Sequence, residues 1–530
     1  MSDSDVVVVG AGFAGLYMLH ELGRLGLTAV AFEAADDVGG TWYWNRYPGA
    51  RCDVESLAYS YSFSPELEQE YEWTERYAAQ PEILGYARDV ADRFGLRRDI
   101  RFGTRVTAAS YDEPSRTWRV RTDRGDDVTA RFLVMATGCL SAAKPPEVPG
   151  RADFRGPTYH TARWPHEGVD FTGLRVGVIG TGSSAVQSIP LIAEQAADLT
   201  VFQRTPAYCV PARNRPLERA EVDGLKARYP EFRRSLRESW SGIPRPVPTQ
   251  SALAVSDEER TAAFAKAWDG GGLTGISAAF TDIGTDLAAN DTARLFFHDK
   301  IRQLVSDPRT AADLCPSYPL GTKRPCLDTG YYETYNRDNV HLVSLRRTPL
   351  VAVTARGIRT SAREYEFDAI VYATGFDAMT GALTGVDIRG RAGVTLREEW
   401  HAGPRTYLGI ASAGFPNLFM ITAPGSPSVL SNMLVSIEQH VDWIAGALGY
   451  LGARGLRALE PTRQAQDAWV AHVNEVASGT LFPRANSWYM GANVPGKPRV
   501  FMPYAGGVGN YRATCDEIAA AGYRGFALSA

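Results

Sequence analysis

The sequence is poor in cysteine: it has six in 530 residues, and no two of them form a CxxC pair. Such scattered cysteines argue against a redox disulfide or a cysteine-ligated zinc, so we predict no metal site. No apolar run reaches the roughly 18 residues that a membrane-spanning helix needs. The acidic first residues differ from the basic start of a secretory signal. These absences predict a protein of the reduced cytoplasm that has no membrane partner.

An excess of charge of one sign is also missing. The formal net charge is −4, and we find neither a basic run nor a low-complexity tract. A nucleic-acid-binding protein needs a concentrated positive surface, so we expect no nucleic-acid partner. At about 150 residues per domain, the length predicts about three domains. We expect an ordinary globular enzyme that is a monomer.

The first motif joins a buried strand to a helix through a glycine-rich turn. Four valines, residues 6–9, lead into a GxGxxG turn, and a helical pattern follows over 16–25. Glycine makes the tight turn, lets a pyrophosphate approach the backbone and lets helix and strand pack closely. The helix N-terminus then faces the phosphates with partial positive charge. The glycines of this turn are Gly10, Gly12 and Gly15.

The strand that follows this turn identifies the nucleotide. It covers 29–32 and ends at Glu33, whose carboxylate suits a ribose diol and repels a 2′-phosphate. A second glycine pair, Gly39 and Gly40, lies close behind and favours an FAD domain over a simple NAD domain. We therefore predict FAD here, with a plain tight turn as the alternative.

A second glycine-rich turn follows a strand that begins near Leu174. Its spacing is GxGxxA, and the next strand, over 199–203, ends at Arg204 rather than at an acid. A 2′-phosphate requires such a cation, which makes charge-assisted and often bidentate hydrogen bonds to it. We predict NADPH here, and a solvated surface arginine is the alternative for Arg204. The residues of this turn are Gly180, Thr181, Gly182, Ser183, Ser184 and Ala185.

Each of these units is followed by an apolar strand that runs into Ala-Thr-Gly, over 133–138 and 370–375. Alternating strands and helices favour α/β domains with parallel sheets. We predict two Rossmann-like dinucleotide-binding domains, for FAD and NADP, with a helical insertion in the NADP domain. The predicted FAD domain covers 1–139 and 377–530, the predicted NADP domain covers 140–210 and 320–376, and the predicted insertion covers 211–319. Within the insertion we predict helices over 226–240 and 258–268. A linker is predicted over 142–146, where the chain leaves the first unit.

Between the two turns lies FRGPTYHTARWP, residues 154–165, which matches FxGxxxHxxxWP at every fixed position. This pattern is the fingerprint of the type I Baeyer–Villiger monooxygenases. The chain resembles that family over essentially its whole length, most closely its phenylacetone branch and more loosely its cyclohexanone and steroid branches. Other shared segments are 43–53, 321–324 and 492–497. The resemblance implies a domain hinge, away from the reacting atoms, for Phe154, Gly156, His160 and Trp164.

The resemblance also implies roles for individual side chains. Arg324 matches the family's active-site arginine, which lies over the flavin and stabilises the peroxide and the oxyanion formed from the ketone. Asp53 matches the carboxylate that orients this arginine. NADPH binding is implied for Arg204, Thr205 and Lys323 at the 2′-phosphate and for Trp488 at the ribose. FAD contact is implied for Glu33, Thr41, Trp42, Tyr59 and Met433.

Elementary chemistry supports the arginine. A guanidinium is always cationic and does not readily protonate a flavin peroxide anion, which must stay charged. A carboxylate beside it fixes its geometry. The alternative is that Asp53 and Arg324 form an ordinary interdomain salt bridge. For His160 the alternative is a histidine that is satisfied within a loop.

The implied function is that of a Baeyer–Villiger monooxygenase. NADPH reduces FAD, the flavin takes up O2 as a C4a-peroxide, and one oxygen atom is inserted next to a ketone carbonyl to give an ester or lactone. Two alternatives stay open: a flavin monooxygenase that oxidises amines or sulfides, and a non-catalytic redox sensor that binds both nucleotides. Residues 424–433 resemble the active-site loop of the phenylacetone branch. Pro325-Cys326 replaces its Leu-Ile and is closer to the cyclohexanone branch, which puts an aryl-ketone preference in doubt.

Overall fold

The structure, a computed structural model, describes residues 3–144 and 146–530. Met1, Ser2 and Pro145, the last of which belongs to the predicted linker 142–146, lie outside the described residues. Within that range, no helix combines the length and the hydropathy that crossing a membrane requires.

The strands of the described residues are numbered in chain order. They are β1 Asp3–Val9, β2 Ala29–Phe32, β3 Ile100–Arg101, β4 Val106–Asp112, β5 Thr117–Thr122, β6 Asp127–Met135, β7 Thr158–His160, β8 Arg175–Ile179, β9 Asp198–Gln203, β10 Cys209–Pro211, β11 Cys326–Asp328, β12 Val340–Ser344, β13 Leu350–Val353, β14 Gly357–Thr360, β15 Glu364–Glu366, β16 Ala369–Tyr372, β17 Asp387–Arg389, β18 Leu418–Met420, β19 Ala458–Pro461 and β20 Phe526–Ser529.

The α-helices are numbered in the same way. They are α1 Phe13–Arg24, α2 Thr41–Trp44, α3 Pro65–Glu70, α4 Gln80–Arg93, α5 Ser183–Gln195, α6 Arg219–Lys226, α7 Tyr229–Glu238, α8 Asp257–Gly270, α9 Leu287–Leu304, α10 Pro308–Leu314, α11 Tyr331–Thr334, α12 Gly381–Thr384, α13 Leu396–Glu399, α14 Met433–Ala453, α15 Arg463–Ser478 and α16 Val508–Ala520.

The first sheet has the order β17-β4-β5-β6-β1-β2-β3, and β18 pairs with β6. Strand β1 runs parallel to both β2 and β6 and lies inside the sheet. Its four valines are buried on both faces: Val6 and Val8 face one core, and Val7 and Val9 face another. Continuous apolar strands of this kind are typical of sheets that helices cover on both sides.

The second sheet has the order β12-β9-β8-β16-β7 and is parallel throughout. Helix α5 follows β8 as α1 follows β1, so the two units repeat one another. The sheets agree with the predicted architecture of two α/β units. After β16 the chain returns to the first sheet, because β17 pairs with β4 and β18 pairs with β6.

The helices between the two halves of the second sheet do not form one body. Val222 of α6 and Tyr229 and Leu236 of α7 belong to the core of the first unit, whereas α8 and α9 share a separate core around Phe264 and Phe297. The amphipathic pattern predicted helices here, but such a pattern does not say which surface its apolar stripe covers. Of the helix predicted over 226–240, residues Tyr229–Glu238 form α7, whereas Lys226 is the last residue of the preceding helix α6.

Candidate active site and nucleotide cradles

Both glycine-rich turns end at a helix whose first N–H groups have no side-chain cap. The N-cap residues are Gly12 for α1 and Gly182 for α5, and neither offers a side-chain acceptor. A Cβ built on Gly182 would have no atom within 4 Å, so the turn faces open space. Free N–H groups beside open space form an anion site. The second turn therefore fits the pyrophosphate of a dinucleotide. The first turn shares the uncapped helix start, but its Gly12 lies against Gly40, whose Cα a Cβ on Gly12 would approach to 3.3 Å.

The first glycine of each turn is required by its surroundings. Gly10 has φ +105°, and a Cβ there would lie 2.7 Å from the carbonyl oxygen of Ala136. Gly180 has φ +116°, and a Cβ there would lie 2.4 Å from the carbonyl oxygen of Ala373. Any side chain would clash with the backbone in both places. Because Ala136 and Ala373 each begin an Ala-Thr-Gly sequence, the internal repeat seen in the sequence is also a repeated contact.

Glu33 lies beside the first turn. Its carboxylate accepts hydrogen bonds from the N–H groups of Ala11, at 2.7 Å, and Ala35, at 2.8 Å. Burial raises the pKa of this carboxyl group, while the backbone donors act in the opposite direction. An ionised carboxylate has about four acceptor positions, so two N–H groups leave capacity for a ribose.

The other residues matched to FAD lie near the first turn in sequence or pack in or against the core that α1 also joins. Thr41 begins α2 directly after Gly40, whose Cα packs against Gly12. The indole N–H of Trp42 donates to the hydroxyl of Tyr59 at 3.2 Å, and both side chains are buried. Met433 begins α14 and packs against the same core. Trp42, Tyr59 and Met433 thus share one hydrophobic core with α1, the helix that follows the first turn.

Three cations meet at the second cradle. Burial, followed by the charges of Arg204 and Arg346, lowers the pKa of Lys323 from 10.5 to about 8. The Nε of Arg346 donates to the carbonyl oxygen of Arg204 at 3.2 Å, although the two residues are 142 positions apart. Thr205 is tied to the glycine turn, because Thr181 donates its hydroxyl to the Thr205 carbonyl at 2.9 Å.

Among the residues that the structure describes, no carboxylate forms a salt bridge with Arg204, Lys323 or Arg346. Three positively charged side chains that lie close together without a carboxylate partner suit the two negative charges of a 2′-phosphate. The sequence reasoning missed Arg346. The available signal was its position two residues after β12, which is the neighbour of β9 in the parallel sheet.

Arg324 and Asp53 form a bidentate ion pair. Nε of Arg324 donates to Oδ2 of Asp53 at 2.5 Å, and Nη2 donates to Oδ1 at 2.9 Å. Nη1 donates to the carbonyl oxygen of Val429 at 2.8 Å. Burial by itself lowers the pKa of Arg324, but the charge of Asp53 outweighs it and the net pKa is raised. The guanidinium is thus fixed in orientation and always charged.

Tyr489 is a further residue at this place that the sequence reasoning missed. It is fully buried, and its pKa is raised chiefly by burial, with the charges of Arg324 and Asp53 nearby. Trp488 precedes it in a short 3-10 helix, with the two ring centroids 4.3 Å apart. Trp488 therefore contacts Tyr489, which lies near the Arg324–Asp53 ion pair.

His160 joins two segments that cross between the sheets. Its Nε2 lies 3.1 Å from the carbonyl oxygen of Lys144 and 3.2 Å from the hydroxyl of Thr374. Its Nδ1 accepts from the N–H of Ala162 at 3.1 Å, which assigns the proton to Nε2. Burial lowers the pKa of His160 below 6.5, so the imidazole is neutral at pH 7. His160 thus adds to a junction that two other hydrogen bonds also hold: the Thr374 hydroxyl donates to the Lys144 carbonyl at 3.1 Å, and the Lys144 N–H donates to the Gly375 carbonyl at 3.0 Å.

The other fingerprint residues fix the same region by packing. A Cβ on Gly156 would lie 2.7 Å from the carbonyl oxygen of Asp368 and 2.7 Å from the ring of Phe154, so only glycine fits. Trp164 is 4% exposed and packs beside Tyr159 with ring centroids 5.6 Å apart. None of the four fingerprint residues forms a hydrogen bond or an ion pair with Arg324 among the described contacts.

Comparison with known proteins places this geometry in a family. A family described as pyridine nucleotide-disulphide oxidoreductase matches residues 7–215. A Baeyer-Villiger monooxygenase of Pseudooceanicola batsensis is 45% identical over 98% of this chain and 96% of its own length. A phenazine N-monooxygenase of Lysobacter antibioticus is 44% identical over 99% of this chain and 97% of its own. A solved oxidised steroid monooxygenase bound to NADP is 58% identical, covers 100% of both chains and has a TM-score of 0.95.

The two cradles and the likeness to solved structures that contain FAD and NADP define an oxidoreductase that uses these two cofactors. With relatives this similar over nearly the whole chain, the protein belongs to the type I Baeyer–Villiger monooxygenases. The predicted family, fold class and cofactors are confirmed.

Proposed function

We propose that this monooxygenase inserts one oxygen atom from O2 next to the carbonyl of a small-molecule ketone and releases an ester or lactone. The observation that carries the proposal is the orientation of Arg324. Two hydrogen bonds to Asp53 and one to the Val429 carbonyl use one hydrogen on each guanidinium nitrogen. A guanidinium has five N–H donors, so further donors remain for a reacting oxygen.

When bound, FAD and NADPH supply the electrons and the activation of O2. The chain supplies charge and orientation. Arg324 stabilises negative charge on the attacking oxygen and on the carbonyl oxygen of the ketone, and Asp53 keeps its donors aimed. Arg204, Thr205, Lys323 and Arg346 hold the 2′-phosphate of NADPH, and Trp488 lies against its ribose. Glu33, Thr41, Trp42, Tyr59 and Met433 hold FAD.

The division of the chain supports this assignment of roles. Residues 1–139 and 377–530 are proposed to bind FAD, because β17 and β18 complete the sheet that carries the first cradle. Residues 140–210 and 320–376 are proposed to bind NADP, and 211–319 to be the insertion. We further propose a monomer in the cytoplasm, a setting that the six free cysteines favour.

A second candidate is oxidation of an aromatic nitrogen or a sulfide. The relative from Lysobacter, named for N-oxidation, is nearly as similar to this chain as the named Baeyer-Villiger enzyme. Oxygen transfer to nitrogen or sulfur creates no ketone-derived oxyanion, so it depends less on Arg324. The aligned ion pair therefore favours the ketone.

The deciding experiment is a substrate panel with purified holoenzyme, NADPH and O2. Cyclic, aryl, steroid and linear ketones are compared with a thioether and an N-heterocycle, and the products are separated by chromatography. We expect ester or lactone in amounts matching the NADPH consumed. N-oxide or sulfoxide without any ester contradicts the proposal and selects the second candidate. NADPH oxidation without any oxygenated product selects a redox sensor.

A further inference from the structure

Two buried cysteines face each other at the base of the helical insertion. Cys209 in β10 and Cys326 in β11 are direct partners in a parallel two-stranded ladder. Their side chains belong to the same hydrophobic core, and each thiol influences the pKa of the other. They lie far apart in sequence, which is why the absence of CxxC spacing gave no indication of the pair.

The spacing of the two strands suits a covalent bond. Neighbouring strands are about 4.8 Å apart, and the Cα atoms of a disulfide are about 4.4–6.8 Å apart. The two thiols can therefore be oxidised to a disulfide without moving either strand far. The remaining four cysteines have no such partner among the described contacts: they are Cys52, Cys139, Cys315 and Cys515.

The surroundings of the two thiols differ. The sulfur of Cys326 lies 3.4 Å from the hydroxyl of Ser183, an exposed residue at the start of α5 in the second cradle. Cys209 is fully buried. The neighbouring Cys209 thiol and the Ser183 hydroxyl lower the pKa of Cys326, while burial raises that of Cys209. Because Cys326 is the one of the two that contacts an exposed residue of the cradle, we assign it as the attacking thiol and the fully buried Cys209 as the resolving one.

We propose that Cys209 and Cys326 form a reversible, peroxide-sensitive disulfide that closes the base of the helical insertion. Hydrogen peroxide is the oxidant, and a flavin enzyme releases it whenever O2 is reduced without a substrate. The thiolate of Cys326 attacks one oxygen of the peroxide, the O–O bond breaks, and the leaving hydroxide takes a proton to become water. The Cys209 thiol then attacks the sulfur of the resulting sulfenic acid, the S–O bond breaks, and a second water leaves.

In total, two thiols and one peroxide give one disulfide and two waters. The bond would connect β10, which follows Arg204 and Thr205, to β11, which follows Lys323 and Arg324. It therefore joins the two segments that carry the proposed 2′-phosphate site. The formation of the disulfide is independent of the proposed function, whereas its effect on the nucleotide depends on it.

The test uses reduced holoenzyme that is treated with a small excess of hydrogen peroxide, quenched with catalase, alkylated and digested. Mass spectrometry should find a Cys209–Cys326 cross-linked peptide that dithiothreitol removes, with the other four cysteines still alkylated. Cys209→Ala should lose the cross-link and leave a sulfenic acid at Cys326 that a dimedone probe traps. Cys515→Ala, which removes another buried thiol, should keep the cross-link.

A wild-type protein in which both cysteines stay alkylated, or in which Cys326 proceeds to sulfinic acid without a cross-link, overturns the proposal. Because this outcome is measured on the wild-type protein, it does not depend on whether either variant folds. NADP+ should slow cross-linking several-fold, because it covers Ser183 in the proposed cradle. Unchanged cross-linking with saturating NADP+ overturns the access route past Ser183. Ester formation by the reduced enzyme is measured separately, so failure of the proposed function is distinguishable from failure of the disulfide.

Discussion

The guanidinium of Arg324 is joined to the carboxylate of Asp53 by two hydrogen bonds, of 2.5 and 2.9 Å, although the residues are 271 positions apart. The side chain of Arg324 is 19% exposed and that of Asp53 27%, so the pair is mostly but not fully buried. Exposed ion pairs contribute little to the free energy of unfolding, and buried ones cost desolvation. A partly buried pair such as this one therefore adds little to stability. Its geometry is better explained by a requirement to orient the arginine.

From this geometry we predict separate effects on reduction and on oxygenation. In Arg324→Ala, NADPH should still reduce the flavin, because hydride transfer does not need an oxyanion stabiliser. Ester formation should fall by about a hundredfold or more, the usual effect of removing one such stabiliser. Asp53→Ala should be milder, because the positive charge remains and only its orientation is disturbed. Stopped-flow absorbance of the flavin and chromatography of the ester measure the two steps, and near-normal ester formation by Arg324→Ala excludes Arg324 as the catalytic residue.

The cation site at the second cradle predicts a preference for NADPH over NADH. Arg204→Ala should weaken NADPH by about ten- to hundredfold, as expected when one charged hydrogen-bonding partner, contributing about 1.5–3 kcal/mol, is lost. NADH should be affected little, since it lacks the 2′-phosphate. Arg346→Ala should act in the same direction. Steady-state kcat/KM with both nucleotides measures the effect.

Arg347→Ala is the matched control for this prediction. Arg347 is adjacent to Arg346 and exposed, but it pairs with Asp313 instead of the cation site. It should leave the preference for NADPH unchanged. Equal efficiency of the wild-type enzyme with both nucleotides would contradict the phosphate assignment.

The lowered pKa of Lys323 predicts a pH dependence that is specific to NADPH. Without nucleotide, Lys323 loses its proton near pH 8. A bound 2′-phosphate favours the protonated amine and raises this pKa, so binding takes up a proton. The affinity for NADPH is therefore highest below pH 8, where Lys323 is protonated, and falls as the pH rises through 8. NADH should show no such fall.

KM measured for both nucleotides between about pH 7 and 9.5 tests this dependence. Lys323→Arg provides the control, because a guanidinium stays charged over that range and should abolish the fall. The assignment fails if NADPH and NADH lose affinity in parallel, or if the arginine variant titrates as the wild type does.

The parts of the fold that are encoded locally were predictable. The helix after the first glycine turn was predicted over 16–25 and is Phe13–Arg24, and the strand predicted over 29–32 has those bounds. In such units each residue's neighbours in the sequence determine its conformation. The sites of Arg346 and Tyr489 depend on contacts between distant segments, and only for Arg346 was there a signal, its position just after a strand of the parallel sheet. The packing of α6 and α7 on the first unit escaped prediction for the same reason.

His160 lies outside the ion pair but contacts both segments that cross between the sheets, at Lys144 and at Thr374. The carbonyl of Lys144 accepts from the imidazole at 3.1 Å and from the Thr374 hydroxyl at 3.1 Å. In His160→Ala the first of these bonds is lost, and the N–H of Ala162 loses its acceptor. The two units should then be held less firmly in register, so turnover falls and more NADPH is consumed per ester formed. FAD should stay bound, because its cradle lies on the first sheet.

Three measurements separate this positioning role from loss of the fold. Flavin absorbance after gel filtration gives FAD content, and the ratio of ester to NADPH gives coupling. Thr374→Val should have a smaller effect in the same direction, since His160 still donates to Lys144. His341→Ala is the control, because His341 is an exposed histidine of the second sheet whose one side-chain partner among the described residues is Asp198, at 2.9 Å. Coupling in His160→Ala that equals that of His341→Ala would show that the fingerprint histidine does not position the two units.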